Sequence, residues 1–257
     1  MKHSLFPRTL AILLTLFSLS NPLNNALSAP REKATLAKIV DGDTIDLGDK
    51  RRIRLANINA PEHDSPLYKD SLSYLNHFLY TRIEVEPLGK DGYSRTLARL
   101  YSGTDYINLS IVKNGYASKF MVRQGEEKTF ALAEEEALKQ GKGIWKKSSL
   151  FGSLSILVNP KEEFVLIENN LKGNNKINLE AYVMKDESRE TYTFPKVFAG
   201  RIKIYSGKAT KNTQTRITDF NSDLVWQEKN IWNDDKDTVY LFDKEGKIIG
   251  HYCYGYK

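Results

Sequence analysis

The chain has 257 residues, 40% hydrophobic and 27% charged, a composition that excludes collagen-like, coiled-coil and wholly disordered architectures. With 38 Lys and Arg against 32 Asp and Glu, the formal charge of +6 permits a polyanionic partner without requiring one. The single cysteine, Cys253, rules out an internal disulfide and a cysteine-rich zinc site, and the histidines form no pair at metal-ligand spacing.

Lys2 and Arg8 precede an apolar run from Leu10 to Leu19, and the small residues Ala26, Ser28 and Ala29 follow. This is the layout of a secretory signal peptide over residues 1–28, cleaved after Ser28. The run is about ten residues against the roughly 20 of a membrane-spanning helix. The mature chain is therefore expected to have no stable membrane span and to be secreted, periplasmic or at the cell surface.

At roughly 100–150 residues per domain, the length predicts two domains. Residues 35–40, 44–47 and 52–58 read as three strands, with a turn at Gly48-Asp49-Lys50. Ser65 stands at an N-cap position, Pro66 at the first helical position, and Tyr68, Leu72, Leu75 and Leu79 recur at steps of four, three and four, predicting an amphipathic helix. Residues 82–86 and 96–101 supply two more strands, and helices are expected over 107–113 and 126–140, the second stopped by Gly141 and Gly143. Five short strands with a helix after the third suit an α+β, OB-fold five-stranded barrel with helices, placed at residues 29–147. Trp145 is expected to pin the last helix to this barrel.

Beyond a linker near 146–152 the pattern is all-β. Strands are expected over 153–158, 163–168, 177–183, 192–194, 201–205, 224–226, 239–242 and 247–252, separated by Asn, Gly, Asp and Lys turns, as in a β-sandwich over residues 153–257. The two halves are expected to be separable, with catalysis confined to the first.

The chemistry-bearing residues cluster early. Asp41-Gly42-Asp43-Thr44 places two carboxylates between consecutive strands. On an alternating strand Ile53 and Leu55 face the core and Arg54 points the other way, while Asn59 and Glu62 follow in a turn marked by Pro61. Asp91-Gly92-Tyr93-Ser94-Arg95 sets a second arginine just before a strand. Carboxylates, an amide oxygen and two arginines suit a hard cation and a phosphate.

These elements, in this order, resemble the staphylococcal nuclease (thermonuclease) family from about Ala34 to Trp145: the DGDT segment, Arg54-Leu55 with Ala60-Pro61-Glu62, Tyr93 with Arg95, and the closing Gly141-x-Gly143-Ile144-Trp145. The resemblance implies an OB-fold, Ca²⁺-dependent endonuclease acting on DNA and RNA, with single strands preferred. It implies Asp43, Asn59 and the Ala60 carbonyl as metal ligands, Glu62 as the residue holding the attacking water, Arg54 and Arg95 on the phosphate, and Tyr93 as a substrate contact. Asn59 stands where the family pattern has an aspartate. Its amide oxygen still suits calcium, but one negative charge is lost and calcium affinity is expected to fall. The family's substrate-stacking tyrosines after Gly115 are not matched, and Tyr116 and Phe120 read as core or rim. The alternative is a non-catalytic nucleic-acid binder tethered by its sandwich; Asn59 favours it, whereas Arg54, Glu62 and Arg95 favour the enzyme.

In the second half, Glu163 to Asn170, Ile177-Asn178-Leu179, Tyr192 to Pro195 and Ile231 to Asp243 resemble the lamin-tail family. This implies an all-β immunoglobulin-like sandwich and leaves its partner open. Asp234, Asp235 and Asp237 lack the glycine and terminal glutamate of a calcium loop and read as a turn. Lys50-Arg51-Arg52 reads as a solvated hairpin able to touch a phosphate backbone, and Glu134-Glu135-Glu136 as the wet face of a helix.

Overall fold

A computed structural model describes residues 30–63, 67–171, 176–218 and 220–256. The expected signal peptide and the cap residues Ser65 and Pro66 lie outside the described residues. Among those described, no helix is long and apolar enough to cross a membrane.

The first half contains strands β1 (Glu32–Asp41), β2 (Thr44–Leu47), β3 (Arg52–Leu55), β4 (Ile58–Asn59), β5 (Arg82–Lys90), β6 (Thr96–Ser102), β7 (Asp105–Tyr106) and β8 (Ser118–Lys119), with helices α1 (Tyr68–Ser73), α2 (Ile107–Lys113) and α3 (Glu127–Gln140). The main sheet runs β3-β2-β1-β5-β6-β7, and a parallel pairing of β3 with β6, Arg54 opposite Leu97, closes five of its strands into a barrel. Alternation fills the interior. Ile45 and Leu47, Ile53 and Leu55, and Ala98 and Leu100 are all buried in one cluster, capped by Ile111 and Val112 of α2 and Phe130 of α3.

Two expected elements of this half are divided. The strand expected over 52–58 breaks at Asn57, which adopts a left-handed backbone (φ 69°) that asparagine tolerates better than most residues. Its Oδ1 accepts from the Arg123 N–H at 3.0 Å and its Nδ2 donates to Glu126 at 3.0 Å. The chain thus turns out of the barrel, and β4 pairs with β8 instead, Asn59 opposite Ser118. The amphipathic helix likewise ends at Ser73 and continues as a 3₁₀ turn, Leu75–Phe78. The hydroxyls of Ser71 and Ser73 donate to the carbonyls three residues back, at 2.6 Å each, a competing bond that weakens a regular α-helical ladder.

The second half contains β9 (Leu154–Asn159), β10 (Phe164–Asn169), β11 (Ile177–Asn178), β12 (Val183–Lys185), β13 (Thr191–Thr193), β14 (Phe198–Ala199), β15 (Arg201–Tyr205), β16 (Asn221–Val225), β17 (Asp237–Phe242) and β18 (Ile248–Tyr254). They form two four-stranded sheets, β16-β15-β10-β9 and β13-β12-β17-β18, and a β11-β14 pair. Ile156, Val165 and Ile202 of the first sheet share one apolar cluster with Met184, Val239 and Leu241 of the second. The strand expected over 177–183 is split between β11 and β12 by a turn at Leu179–Tyr182, with Ala181 left-handed (φ 64°).

The halves do not stand apart. Trp145, 1% exposed, stacks on Tyr240 at 5.0 Å and Phe242 at 6.3 Å, so it pins α3 to the second half and not simply to the barrel. The linker is tied down too: Ile248 N–H donates to the Lys146 carbonyl at 2.8 Å, and Ser148 N–H donates to the Ile248 carbonyl at 2.9 Å. Glu134 corrects the reading of a wholly wet helix face, because it is 2% exposed and accepts from Lys119 Nζ at 2.9 Å and the Tyr240 hydroxyl at 2.9 Å. Lys119 is itself fully buried, lies 3.5 Å from Glu187, and donates to the Thr238 hydroxyl.

Candidate active site

The site lies at the barrel end where β1 turns into β2. Gly42 allows this turn to press against its neighbours: a Cβ there would fall 2.6 Å from the Ala60 Cβ and 2.6 Å from the Ser71 hydroxyl. Asp41 Oδ1 accepts the Asp43 N–H at 3.0 Å, fixing the turn. Asp43 points inward and is 7% exposed. Its Oδ2 accepts the Ala60 N–H at 2.8 Å and pairs with Arg54 Nη2 at 3.1 Å.

Arg54 leaves β3 on the side opposite Ile53 and Leu55, as the alternation requires, but it is not solvated. Its Nη1 donates to the Leu55 carbonyl at 2.6 Å and its Nη2 reaches Asn59 Oδ1 at 3.4 Å. Burial lowers its pKa, partly opposed by Asp43 and reinforced by Arg95. Asp43 is pushed up to about 6, first by burial and then by Asp41, with Arg54 and the Ala60 N–H only partly compensating. Burial, more than the neighbouring Asp41, is thus what opposes ionisation of Asp43.

Arg95 and Tyr93 sit in the adjoining β5–β6 turn. Asp91 accepts the N–H groups of Tyr93 and Arg95 at 2.9 Å each and Arg95 Nε at 2.6 Å. Burial opposes ionisation of Asp91, but these bonds prevail and hold its carboxyl below the ordinary range. Tyr93 is 84% exposed, and the Arg95 guanidinium lies 5.3 Å from its ring centre. Beside them runs a groove of about 870 Å³ lined by Lys50, Arg51, Arg52 and Lys90. Arg51 and Arg52 are paired there with carboxylates, Asp49 at 2.8 Å and Asp46 at 2.7 Å.

Asp43, Arg54, Asn59 and Ala60 are therefore joined directly, whereas Arg95 reaches Arg54 only through its field and Tyr93 stays at the rim. Glu62 stands outside the bonded cluster, its side chain 73% exposed, with Oε1 2.7 Å from Arg189 Nη1. Arg189 comes from the turn between β12 and β13 in the second half. A lone arginine in a surface-type turn carries no motif, so nothing in the sequence singles it out.

The oxygens of Asp41, Asp43 and Asn59 are the donor chemistry of a hard cation. Among the described residues no group of three or more His, Cys, Asp or Glu gathers as a metal cluster. Asn59 accounts for this in part, because an amide occupies a place where a carboxylate would add to the set.

A closed five-stranded barrel with helices packed on it, Asp43 and Arg54 paired at one end, is an OB-type unit. The family model described as "Staphylococcal nuclease homologue" matches residues 52–147. The chain is 34% identical to an "Uncharacterized endonuclease" of Haemophilus influenzae over 139 residues, covering 52% of this chain and 78% of that protein. It is 27% identical to the "Thermonuclease" of Staphylococcus intermedius over 156 residues, covering 54% of this chain and 93% of that protein. With "Endonuclease YhcR" of Bacillus subtilis it shares 31% over 136 residues, which is 11% of that longer protein. The chain belongs to the staphylococcal nuclease family. The family match begins after the Asp41–Asp43 turn and ends before the second half.

Proposed function

We infer that the chain is an exported Ca²⁺-dependent endonuclease that hydrolyses phosphodiester bonds in DNA and RNA, with single strands preferred. The observation carrying this reading is the bonded set Asp43, Arg54, Asn59 and Ala60, with Arg95 in the next turn, in a barrel of a nuclease family. Residues 1–28 are read as a signal peptide, residues 29–147 as the nuclease domain and residues 153–257 as a lamin-tail-like, immunoglobulin-like sandwich. The shared cluster of the two four-stranded sheets supports the last assignment.

A phosphodiester repels nucleophiles through its own negative charge, so hydrolysis needs donors aimed at the oxygens that gain charge. Arg54 and Arg95 supply them as forked guanidiniums that stay protonated. Calcium, held by Asp43, Asn59 and the Ala60 carbonyl, would supply Lewis acidity and a template for the phosphate. Glu62 orients the water and accepts its proton as the new P–O bond forms and the sugar oxygen departs with its electron pair. Tyr93 offers an exposed ring against which a substrate nucleotide can rest.

The second reading, a non-catalytic binder, is favoured by one contact: Arg54 spans Asp43 and Asn59, the oxygens a cation would join. Incubating the purified protein with heat-denatured DNA, with Ca²⁺ or with chelator, separates the two. Cleavage in Ca²⁺ alone is expected, and binding without cleavage in both would establish the second reading.

A further inference from the structure

We propose that Arg189, delivered by the second half of the chain, is a positioning residue for Glu62, so that the active site is composite and the barrel alone holds only part of it. The inference rests on the reading of Glu62 as the residue that orients water.

The contact is built into the fold. Glu62 sits after β4 in a turn where its carboxylate makes no bond to Asp43, Arg54 or Asn59, and its side chain is 73% exposed. A water-orienting carboxylate left to itself there would sample several rotamers, which works against the fixed geometry that catalysis requires. Arg189 Nη1 meets its Oε1 at 2.7 Å. The arginine side chain is only 21% exposed, so one partner is held even though the other is open to solvent.

The turn that presents Arg189 is itself fixed. Asp186, 3% exposed, accepts the Glu190 N–H at 2.7 Å and the Ser188 hydroxyl at 2.6 Å, and its backbone carbonyl accepts the Arg189 N–H at 3.2 Å. Arg189 adopts a left-handed backbone (φ 74°), which a non-glycine residue takes only at some expense, and the Asp186 bonds hold it there. Glu187, next but one, is buried against Lys119 of the barrel, so the turn is anchored to the unit it serves. A cavity of about 510 Å³ opens beside the pair between the two halves, lined by Asn59, Glu62, Lys185, Arg189 and Lys244 among others. The Glu62–Arg189 pair therefore borders space that a substrate strand can enter.

Burial lowers the Arg189 pKa, with Glu62 and Asp43 opposing and Arg54 reinforcing the shift. That ordering places the cation within the field of the same carboxylates and arginine that make up the barrel site. One guanidinium carries five donors, so Nη1 can hold Glu62 while others remain for a phosphate oxygen.

The test is steady-state cleavage of a single-stranded oligonucleotide in Ca²⁺ by the full chain and by Arg189→Met, Arg189→Lys, Glu62→Gln and the Glu62→Gln/Arg189→Met double variant, with thermal unfolding of each. Arg189→Met is expected to lower kcat about tenfold or more, the scale of losing an orienting partner. KM should stay within about twofold, Arg189→Lys should recover most of the loss, and Arg189→Met should add little in the Glu62→Gln background. Unchanged or raised kcat in Arg189→Met, with Glu62→Gln impaired, would overturn the proposal while leaving the nuclease reading intact. Full activity in Glu62→Gln, or none in the unmodified chain, would remove the reading of the site itself and the proposal with it. An equal effect of Arg189→Met with and without Glu62 would also overturn it, since the arginine would then act on its own.

Discussion

Lys119→Met is expected to destabilise the whole chain and not merely one half. The ammonium is fully buried and lies 2.9 Å from Glu134 and 3.5 Å from Glu187, with Tyr240 and Tyr256 rings around it. Burial would depress the lysine pKa, but the two carboxylates more than reverse this and the group stays charged. Methionine fills the same space and leaves Glu134, and Glu187 whenever it is ionised, buried without a cation. Removing one partner of such a set costs about 3–5 kcal/mol, because the remaining charges stay desolvated. For a domain of this size each kcal/mol moves Tm by roughly 2–4 °C, so a fall on the order of 10 °C is expected by calorimetry or circular dichroism. Glu134 belongs to the barrel side while Glu187 and Thr238 belong to the second half. The wild type should therefore unfold in one transition, and the variant should broaden or split. A variant that melts within about 2 °C of wild type, still in one step, would refute the view that this buried set holds the halves together.

Glu62→Gln, Arg54→Ala and Arg95→Ala should each lower turnover on single-stranded DNA by roughly a hundredfold or more, about 3 kcal/mol of transition-state stabilisation; full activity in all three would dismiss the assigned site. Asn59→Asp adds a carboxylate to the oxygen set around Asp43, so half-saturation by Ca²⁺ should fall, as read by titration of activity or intrinsic fluorescence; an unchanged value would place Asn59 outside the shell. Burial pushes Glu187 up to about 7 from an unfolded value of 4.5, only partly offset by Lys119. Its contribution is then fully present below about 4.5 and lost as pH rises through about 7, so Glu187→Gln should gain stability relative to wild type between pH 5 and 8, by at most about 3 kcal/mol. A flat difference across that range would contradict the burial argument. A chain ending at Ser149 should melt well below the full chain, since it strips Tyr240, Phe242 and Ile248 from Trp145 and leaves Lys119 and Glu134 at a bare surface. Equal melting temperatures would restore the expectation of separable halves.

The barrel was legible because its information is local. Alternation at Ile53, Arg54 and Leu55 and at Ala98 and Leu100 sets which face is buried, and Gly141 ends α3 in the left-handed conformation expected of a C-terminal glycine (φ 65°). The Asp41–Asp43 turn and the Asp91–Arg95 turn were legible for a related reason, since short polar side chains bonding to nearby N–H groups fix a turn from within the sequence itself. The break at Asn57 was not, because the bonds that stabilise it run to Arg123 and Glu126, far along the chain. Period counting sees the apolar residues on both sides and continues the strand through them.

Glu134 and Arg189 were hidden by the same cause carried further. A triplet of glutamates on a helix reads as solvated unless a buried cation is known to face it, and that cation, Lys119, sits on β8 while Glu187 and Thr238 approach from the second half. Once the halves are joined there, the short turn carrying both Glu187 and Arg189 can move little relative to the barrel. The ion pair that holds Lys119 and the one that holds Glu62 are then two residues apart on a single rigid turn. Loosening the first should loosen the second. Lys119→Met is accordingly expected to lower kcat at temperatures where the chain is still folded, although the side-chain partners Glu134, Glu187 and Thr238 of Lys119 lie outside the proposed site. If that variant keeps full turnover well below its melting transition while Arg189→Met does not, the anchoring of the turn must come from Asp186 alone.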